Sequence, residues 1–344
     1  MRAAIHNPYL DTLGGGERYT AVFARVLAKN GYSVDLEWKE NGIKNTLEKR
    51  FGIKLDGINI VKDIKRGDGY DLCFWVSDGS IPALRARKNI LHFQVPFRGI
   101  GGKSLINKMK LFRINKIVCN SYFTKNIIDK EYGVDSIVIY PPVDTDSIRP
   151  RRKENFILSV GRFSQILQSK GQDTLIKSFK KIYDGGLKDW KLVLAGGAEV
   201  GAGNFLEKLR KKAIGYPIEI IESPDFKTLK NLYGNAEIFW SASGFEMNEQ
   251  RNPEKVEHFG ITVVEAMAAE AVPIVYAAGG HKEIVTEGEN GFLWKNTSDL
   301  IKKTLGLVVD SKKLRRIAQN AKLAAVKYSE ISFENGVVSH ILQK

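Results

Sequence analysis

The sequence predicts an α/β protein with two domains, each built on a parallel β-sheet with helical crossovers. Short apolar runs alternate with helix-like segments from end to end, which is typical of such sheets. The length of 344 residues exceeds what one hydrophobic core usually organises. A polar, proline-containing stretch, DSIRPRRKEN, interrupts the alternation. We therefore expect a first domain at 1–150 and a second at 151–325.

Each strand of the predicted sheets is a short apolar run. In chain order the runs are RAAIH, SVDLEW, DLCFWV, NILHF, KIVCN and SIVIY, then NFILSV, WKLVLAG, IEII, EIFWS, VPIVY and GFLW. The first helix, ERYTAVFARVLAKNG, has one apolar face and is expected to end at Gly31. That face consists of Tyr19, Val22, Phe23, Val26 and Leu27. Residues 326–344 predict a terminal helix that packs back on the first domain.

The charge of the chain is unusual. A formal net charge of +14 indicates an anionic partner such as nucleic acid, acidic lipid or a phosphorylated substrate. The two cysteines, Cys73 and Cys119, lie in apolar runs typical of buried thiols in a reducing compartment. The N-terminus lacks the apolar core of a signal peptide, and no apolar run is long enough to span a membrane. We therefore expect a cytoplasmic protein and leave attachment to a membrane surface open.

Three consecutive glycines lie between the first strand and the first helix, in NPYLDTLGGGERY. Gly14, Gly15 and Gly16 would let backbone amides approach an anion, although their spacing differs from the dinucleotide-binding fingerprint. A tight turn is the alternative interpretation. The order of strand, glycines and helix favours a phosphate or sugar site.

The second domain opens in a parallel way, with NFILSVGRFSQILQSKGQD. Arg162 and Lys170 follow the first strand of this domain, at the end of a wound sheet where ligands bind. A planar guanidinium and a compact ammonium could both meet a diphosphate. Alone, either residue could be a solvated loop cation, but their shared position favours an anion site.

Two glutamates, Glu257 and Glu265, bracket the run EHFGITVVE, where a glycine-containing turn gives way to a helix. A sugar nucleotide presents clustered hydroxyls and a diphosphate. A carboxylate beside the sugar, amides at a helix N-terminus and a second carboxylate for the ribose make a suitable set of contacts.

Together these segments resemble the retaining glycosyltransferases of family 4, whose GT-B architecture has two Rossmann-like domains facing across a cleft. The E-x7-E run, followed by AMAAEAVPIVYAAGGHKEIV and NGFLW, carries the resemblance. GGGER, NSYFTK, YPPVD and EHFG look most like the dolichol-linked oligosaccharide mannosyltransferases. The resemblance implies transfer of mannose from GDP-mannose to a polyprenyl-diphosphate-linked or other glycan, with no cofactor. The alternatives are the same fold using UDP-glucose or another UDP-sugar, and a non-catalytic basic protein that binds membranes or nucleic acid.

The resemblance also assigns roles to individual residues. It implies that Glu257 contacts the donor sugar hydroxyls and that Glu265 holds the ribose. Arg162 and Lys170 would neutralise the leaving diphosphate. Backbone contacts to sugar and phosphate would come from Phe259, Gly260 and Ile261, and from Gly15 and Gly16 in the other domain.

His92 follows the apolar run of its strand and is expected near the carboxyl end, where ligands gather. The resemblance implies an active-site histidine near the donor sugar and acceptor, and a structural histidine is the alternative. Weaker acceptor-side candidates each end a strand or enter a turn: Asp11, Asp78, Asn120 and Ser121.

A DxD triplet, Asp144-Thr145-Asp146, is the type of sequence that binds a divalent metal in other glycosyltransferases. It lies in the approach to the interdomain linker, and Arg162 with Lys170 already supplies the positive charge that a metal would bring. We therefore expect no metal there, and no zinc site, because no His or Cys cluster has the required spacing.

The window from residue 79 to residue 128 contains ten cationic residues and no Asp or Glu. The cations are Arg85, Arg87, Lys88, Arg98, Lys103, Lys108, Lys110, Arg113, Lys116 and Lys125. Leu105, Met109 and Phe112 stand among them at helical spacing, as in an interfacial amphipathic helix, although each alone would be expected in the core. Region 85–125 therefore predicts peripheral binding to an anionic membrane. A solvated face and nucleic acid are the alternatives, and the latter lacks an RNA-binding signature.

Overall fold

The computed structural model describes residues 1–164, 168–198 and 203–343. The chain divides into two compact units. One contains residues 1–142 together with the segment from Glu330 onward, and the other contains residues 143–329. The divisions therefore fall at 142/143 and 329/330, beside the predicted divisions at 150/151 and 325/326.

The first unit is built on a seven-stranded parallel sheet of order β3-β2-β1-β4-β5-β6-β7. Its strands are β1 Arg2–His6, β2 Ser33–Glu37, β3 Ile58–Val61, β4 Leu72–Val76, β5 Lys88–Phe93, β6 Lys116–Cys119 and β7 Ile137–Val138. Its helices are α1 Gly15–Lys29, α2 Ile43–Phe51, α3 Leu105–Leu111 and α4 Tyr122–Tyr132. The sequence prediction missed β3, a four-residue strand at the sheet edge.

The second unit has a six-stranded parallel sheet of order β10-β9-β8-β11-β12-β13. Its strands are β8 Glu154–Val160, β9 Lys191–Gly196, β10 Ile218–Glu222, β11 Ala236–Ser241, β12 Val272–Tyr276 and β13 Phe292–Trp294. Its helices are α5 Gln172–Asp184, α6 Gly203–Ala213, α7 Phe226–Asn235, α8 Ile261–Ala268, α9 His281–Ile284, α10 Thr297–Val308 and α11 Ser311–Ala325. The predicted fold class, α/β with two Rossmann-like sheets, is confirmed.

The C-terminal segment packs against helix α1 and contributes to the core of the first unit. It consists of α12 Glu330–Val337 and a π-helical turn at Val338–Leu342. The Glu330 carboxylate accepts hydrogen bonds from Arg18 at 3.0 Å and Arg25 at 2.5 Å. Arg18 is buried, so this carboxylate compensates a charge that would otherwise be costly.

The burial of residues along α1 follows the periodicity predicted from the sequence. All five residues of its predicted apolar face are buried: Tyr19, Val22, Phe23, Val26 and Leu27. Gly31 follows the helix with a φ of +82°, a conformation that suits glycine. Both cysteines are buried free thiols, as predicted.

Helix α3 has no buried residue. Leu105 is 74% exposed, Met109 is 67% exposed and Phe112 is 93% exposed. The expectation that each of these positions alone belongs to the core is wrong, because helical spacing identifies an apolar face without showing whether anything covers it. Among the described residues, no helix is both long and apolar enough to cross a membrane.

Candidate active site

Apart from His92, the predicted residues of the first unit lie after strands β1, β4 and β6 of its sheet. Helix α1 begins at Gly15, and the carboxylate of buried Glu17 accepts hydrogen bonds from the Gly14 amide at 2.7 Å and the Thr12 hydroxyl at 2.8 Å. This carboxylate caps the helix from within the chain. An anion binding to Gly15 and Gly16 would therefore lie close to a negative charge that the sequence prediction did not include.

Gln94 connects two of the predicted residues. Its side-chain amide donates to the Gly16 carbonyl at 3.3 Å, and its backbone carbonyl accepts from the side-chain amide of Asn120 at 3.0 Å. A Cβ at Gly16 would lie 1.8 Å from Gln94 Oε1, so this glycine is needed for the contact. The structure thus brings Gly16 and Asn120 together through a glutamine that the sequence prediction did not select.

His92 lies inside the core, not at an open strand end. Its ring is fully buried and stacks on Tyr19 with ring centres 4.1 Å apart. Burial lowers the pKa of His92 to about 3, although a hydrogen bond between Nδ1 and the Val118 carbonyl acts the other way. The imidazole is therefore neutral at physiological pH, and its catalytic role stays a prediction.

The weaker candidates of the first unit have local roles. Ser121 is buried and caps α4 by accepting from the Thr124 amide at 3.0 Å. Asp78 accepts from both the amide and the hydroxyl of Ser80, and these hydrogen bonds lower its pKa. Asp11 is exposed in a short 3₁₀ turn. Of these side chains, the exposed Asp11 and Asp78 are the ones open to a solvent-borne ligand.

The second unit places its predicted residues at the switch point of its sheet, where crossovers run in opposite directions from β8. Gly161 and Arg162 follow β8, and Ser243 follows the neighbouring strand β11. Ligands bind outside the carboxyl ends of such strands. The side chain of Arg162 is exposed there, and residues 165–167 of its loop lie outside the described residues.

Two glycines position Lys170. A Cβ at Gly161 would lie 2.8 Å from Lys170 Cγ, so the lysine side chain passes directly over this residue. Gly171 caps α5 with a φ of +66°, and a Cβ there would lie 2.6 Å from the Cβ of Ala242. The sequence KG therefore allows the loop to approach the end of β11 closely.

Lys170 is paired with the first glutamate of the E-x7-E run. Its Nζ lies 2.9 Å from Glu257 Oε2, 2.7 Å from Gln168 Oε1 and 3.4 Å from Ser243 Oγ. Gln168 in turn donates to the carbonyl of Val256, next to the glutamate. The ammonium is therefore already neutralised by a carboxylate, and a diphosphate would have to share it.

Glu257 is held in its ionised form. Burial alone would raise its pKa, but the charge of Lys170, with smaller effects of His281 and His258, lowers the pKa to about 2. An ionised carboxylate accepts hydrogen bonds and donates none. Glu257 is thus suited to bind hydroxyl groups.

The segment that carries Glu257 packs on a second glycine pair. The Gly280 amide donates to the Glu257 carbonyl at 2.8 Å. A Cβ at Gly279 would lie 2.0 Å from that carbonyl oxygen, and one at Gly280 would lie 2.4 Å from the Cα of Phe259. The AGGH motif therefore fixes the backbone of the glutamate by close contact.

Helix α8 begins directly after this segment. Gly260 is its N-cap, with a φ of +117°, and Ile261 is half-buried in its first turn. The ring of buried Phe259 packs edge-on against Tyr328. Glu265, also half-buried on α8, accepts a hydrogen bond from the Tyr233 hydroxyl at 2.7 Å. The structure thus brings Lys170 and Glu257 together and orients Glu265 by a tyrosine.

The DxD triplet has a structural role at its first residue. Asp144 accepts from the amide of Ser147 at 3.0 Å and from its hydroxyl, as at a local turn. Within the described ranges, no three His, Cys, Asp or Glu side chains are grouped as a metal site.

The sequence model of the family described as Glycosyl transferases group 1 matches residues 143–324. The chain belongs to this family. The match covers the whole E-x7-E run and the loop from Arg162 to Lys170. Glu257 and Lys170 therefore lie in the part of the chain that matches the family.

Several known proteins are similar to this transferase. An uncharacterized glycosyltransferase of Methanocaldococcus jannaschii is 27% identical over 85% of this chain and 83% of its own length. The GDP-Man:Man(3)GlcNAc(2)-PP-Dol alpha-1,2-mannosyltransferase of Dictyostelium discoideum is 26% identical over 63% of this chain, but the match spans 44% of that enzyme. The crystal structure of Anabaena HepE with UDP and glucose superposes with a TM-score of 0.78 at 16% identity, covering 99% of both chains. At 16% identity, the similarity to HepE concerns the fold alone.

His281 of the transferase is a site residue that the sequence prediction missed. It is fully buried, and its Nδ1 donates to the Tyr276 carbonyl at 2.8 Å. Burial lowers the pKa of His281, against an opposing effect of Glu257, so the ring is neutral at pH 7 and carries charge only in acid, where Glu257 titrates. Its position after the glycine pair in AGGHKEIV was the available signal, but local sequence does not tell a buried histidine from an exposed one.

The Lys170–Glu257 pair is expected to make the stability of the transferase depend on acid pH. The pKa of Glu257 is lowered from 4.5 to about 2 on folding, so its contribution is complete above pH 4.5 and is lost as the pH falls toward 2. The expected loss is on the order of 2–3 kcal/mol. Urea midpoints at pH 7, 5, 4 and 3 measure it.

Lys170→Met is the informative variant for this pH dependence. It is expected to be less stable than the parent at pH 7 and to approach the parent as the pH falls, because Glu257 is then protonated in both. Lys177→Met is the matched control, since Lys177 pairs with Asp173 on the exposed face of α5. A constant difference between parent and Lys170→Met from pH 7 to pH 3 would contradict the assigned charge pairing.

Proposed function

We propose that this protein is a retaining hexosyltransferase of family 4 that moves mannose from GDP-mannose to a lipid-linked glycan. The observation that carries the proposal is the ionised Glu257, held by Lys170 at 2.9 Å, immediately before the N-terminus of α8. This arrangement offers a hydrogen-bond acceptor for sugar hydroxyls and backbone amides for phosphate within one short segment.

The donor is handled by residues of the second unit. Glu257 accepts hydrogen bonds from hydroxyls of the donor sugar, and Glu265, oriented by Tyr233, accepts them from the ribose. The amides of Gly260 and Ile261 and the backbone of Phe259 face the sugar and its phosphate. The exposed guanidinium of Arg162 binds the diphosphate as a planar fork, with Lys170 as the second cation.

Transfer proceeds on one face of the sugar. The bond between the anomeric carbon and the diphosphate oxygen breaks, and its electron pair leaves with GDP. The acceptor oxygen then bonds to the same face, and its proton passes to an oxygen of the departing diphosphate. Arg162 and Lys170 stabilise the charge that develops on the leaving group. The low pKa of Glu257 favours a role in hydroxyl binding over one as the nucleophile.

The choice of mannose and of a lipid-linked acceptor is supported by the similarity to the Dictyostelium mannosyltransferase. It is also supported by the cationic region 85–125, which suits the anionic cytoplasmic surface of a membrane that carries such an acceptor. UDP-glucose or another UDP-sugar, with a different acceptor, is the alternative donor class.

Donor-dependent stabilisation and transfer test the proposal together. A nucleotide at 100 times its dissociation constant adds about 2.7 kcal/mol to stability, so GDP is expected to raise the melting temperature more than UDP. Radiolabelled mannose should pass from GDP-mannose to a polyprenyl-diphosphate glycan, with an α linkage by NMR. A preference for UDP would replace mannose with the alternative donor class. No transfer from any donor would favour the non-catalytic binding protein.

A further inference from the structure

The surface around α3 is the most apolar exposed feature of the first unit. We define the α3 segment as residues 98–113. Ile100, Leu105, Ile106, Met109 and Phe112 of this segment are all exposed. Leu105, Met109 and Phe112 follow one another at helical spacing and form one stripe, with Ile106 beside it. Large apolar side chains grouped in this way mark an interaction site.

The α3 segment is held in place at its N-terminal end. The Glu131 carboxylate accepts hydrogen bonds from the amides of Gly99, Ile100 and Gly102 at 2.9, 3.0 and 3.1 Å. These bonds, working against burial, lower the pKa of Glu131. A Cβ at Gly102 would lie 2.7 Å from the Glu131 carbonyl oxygen, so the glycine allows the loop to lie against α4.

The C-terminal end of the segment is fixed as well. The side chain of buried Asn89 donates to the Arg113 carbonyl at 2.9 Å. Leu111 and Ile114 pack on the core cluster that contains Phe93. The apolar stripe is therefore presented by an anchored helix, and its exposure does not come from a loose end.

Cations surround the stripe. Within the described chain, no ion pair engages Arg98, Lys103, Lys108, Lys110 or Arg113. Other cations of the acid-free window do have partners in the chain: Arg87 pairs with Asp71, Lys125 with Asp129 and Asp135, and Lys88 donates to the Ile341 carbonyl. Five cations of the window thus lie beside the apolar stripe without a carboxylate partner in the described chain.

We propose that the α3 segment is a preformed wedge that inserts into the interface of an anionic bilayer. The side chains of Leu105, Ile106, Met109 and Phe112 enter the acyl boundary, and the flanking lysines and arginines reach the lipid headgroups. The inference rests on the membrane partner of the proposed function and assigns the residues that make the contact.

An anionic bilayer fits this surface better than a second copy of the chain. A symmetric contact through the stripe would bring the same cations of both copies together. The window of residues 79–128 has no carboxylate to compensate them, and the Glu131 carboxylate beside the segment already accepts hydrogen bonds from three backbone amides. Anionic lipid supplies both the apolar phase and the opposite charge.

Vesicle binding by the full chain is the test of the wedge. The parent is expected to sediment with vesicles of phosphatidylcholine and phosphatidylglycerol and to bind pure phosphatidylcholine far more weakly. Leu105→Ser with Met109→Ser and Phe112→Ser should lower binding at least about tenfold. Each of Lys103→Gln, Lys108→Gln and Arg113→Gln should lower it about fivefold.

Matched controls come from the second unit. Ile214 and Leu323 are as exposed as Leu105, so Ile214→Ser with Leu323→Ser should leave vesicle binding unchanged. Phe112→Trp should gain fluorescence that lipids brominated in the acyl chain quench, which reports insertion directly. Equal binding by parent and triple variant, or no quenching, would overturn the inference. A parent dimer that the triple variant breaks, with vesicle binding intact, would identify a second copy as the occupant.

Failure of the wedge and failure of the proposed function give different results. If the parent does not bind vesicles but is stabilised by GDP and transfers sugar, only the wedge proposal is overturned. Intact vesicle binding without sugar transfer from any donor would overturn the transferase alone. The α3 variants should keep the parent's stabilisation by GDP, since none of their residues belongs to the donor site.

Discussion

Replacing Glu257 with Ala is expected to lower kcat/KM for sugar transfer by about 100- to 1,000-fold. The carboxylate is held ionised with a pKa of about 2, so it is always available to hydroxyl donors of the sugar. Its removal also leaves Lys170 without its closest anionic partner, which lies 2.9 Å away. Transfer of radiolabelled sugar at subsaturating donor gives the measurement.

Glu257→Gln separates the charge from the shape of this side chain. The amide can still accept a hydrogen bond, so a smaller loss than that of Glu257→Ala is expected if shape and acceptance dominate. Glu254→Gln is the matched control, because Glu254 is exposed three residues earlier. A Glu257→Ala variant that transfers sugar as fast as the parent would show that the site is assigned wrongly.

Sequence periodicity was sufficient to predict which residues are buried where a residue's environment is set by its neighbours along the chain. The face of α1 around Tyr19 and Phe23 was predicted correctly because a helix repeats every 3.6 residues. Strand β3 was missed because INIV is a short edge strand with one fully buried residue. Its pattern does not differ from that of a loop with a few apolar side chains.

Contacts between residues far apart in the sequence could not be predicted from the sequence alone. Lys170 and Glu257 were both selected, but nothing in one sequence shows that residues 87 positions apart form an ion pair. His281 and Gln94 were not selected, since their importance comes from burial and from contact with Gly16. The exposure of α3 could not be predicted either, because an apolar stripe in the sequence does not show whether another element packs on it.

The glycine at the end of β9 is expected to be essential for the stability of the second unit. A Cβ at Gly196 would lie 2.0 Å from the Gly161 carbonyl oxygen and 3.4 Å from the Arg162 amide nitrogen. Both contacts are with backbone, which cannot rotate away as a side chain could. Gly196→Ala should therefore cost about 3 kcal/mol through overpacking, measured by urea denaturation.

The neighbouring glycine provides a control for Gly196→Ala that isolates this steric effect. A Cβ at Gly197 has no described atom within 4 Å, and neither residue has a positive φ. Gly197→Ala should therefore be neutral, or more stable by about 0.4–1 kcal/mol through the entropy of the unfolded chain. Because the clash displaces the backbone of Gly161 and Arg162, Gly196→Ala should also reduce stabilisation by GDP, whereas Gly197→Ala should not. Equal stability of the two variants would mean that β8 and β9 end farther apart than the structure places them.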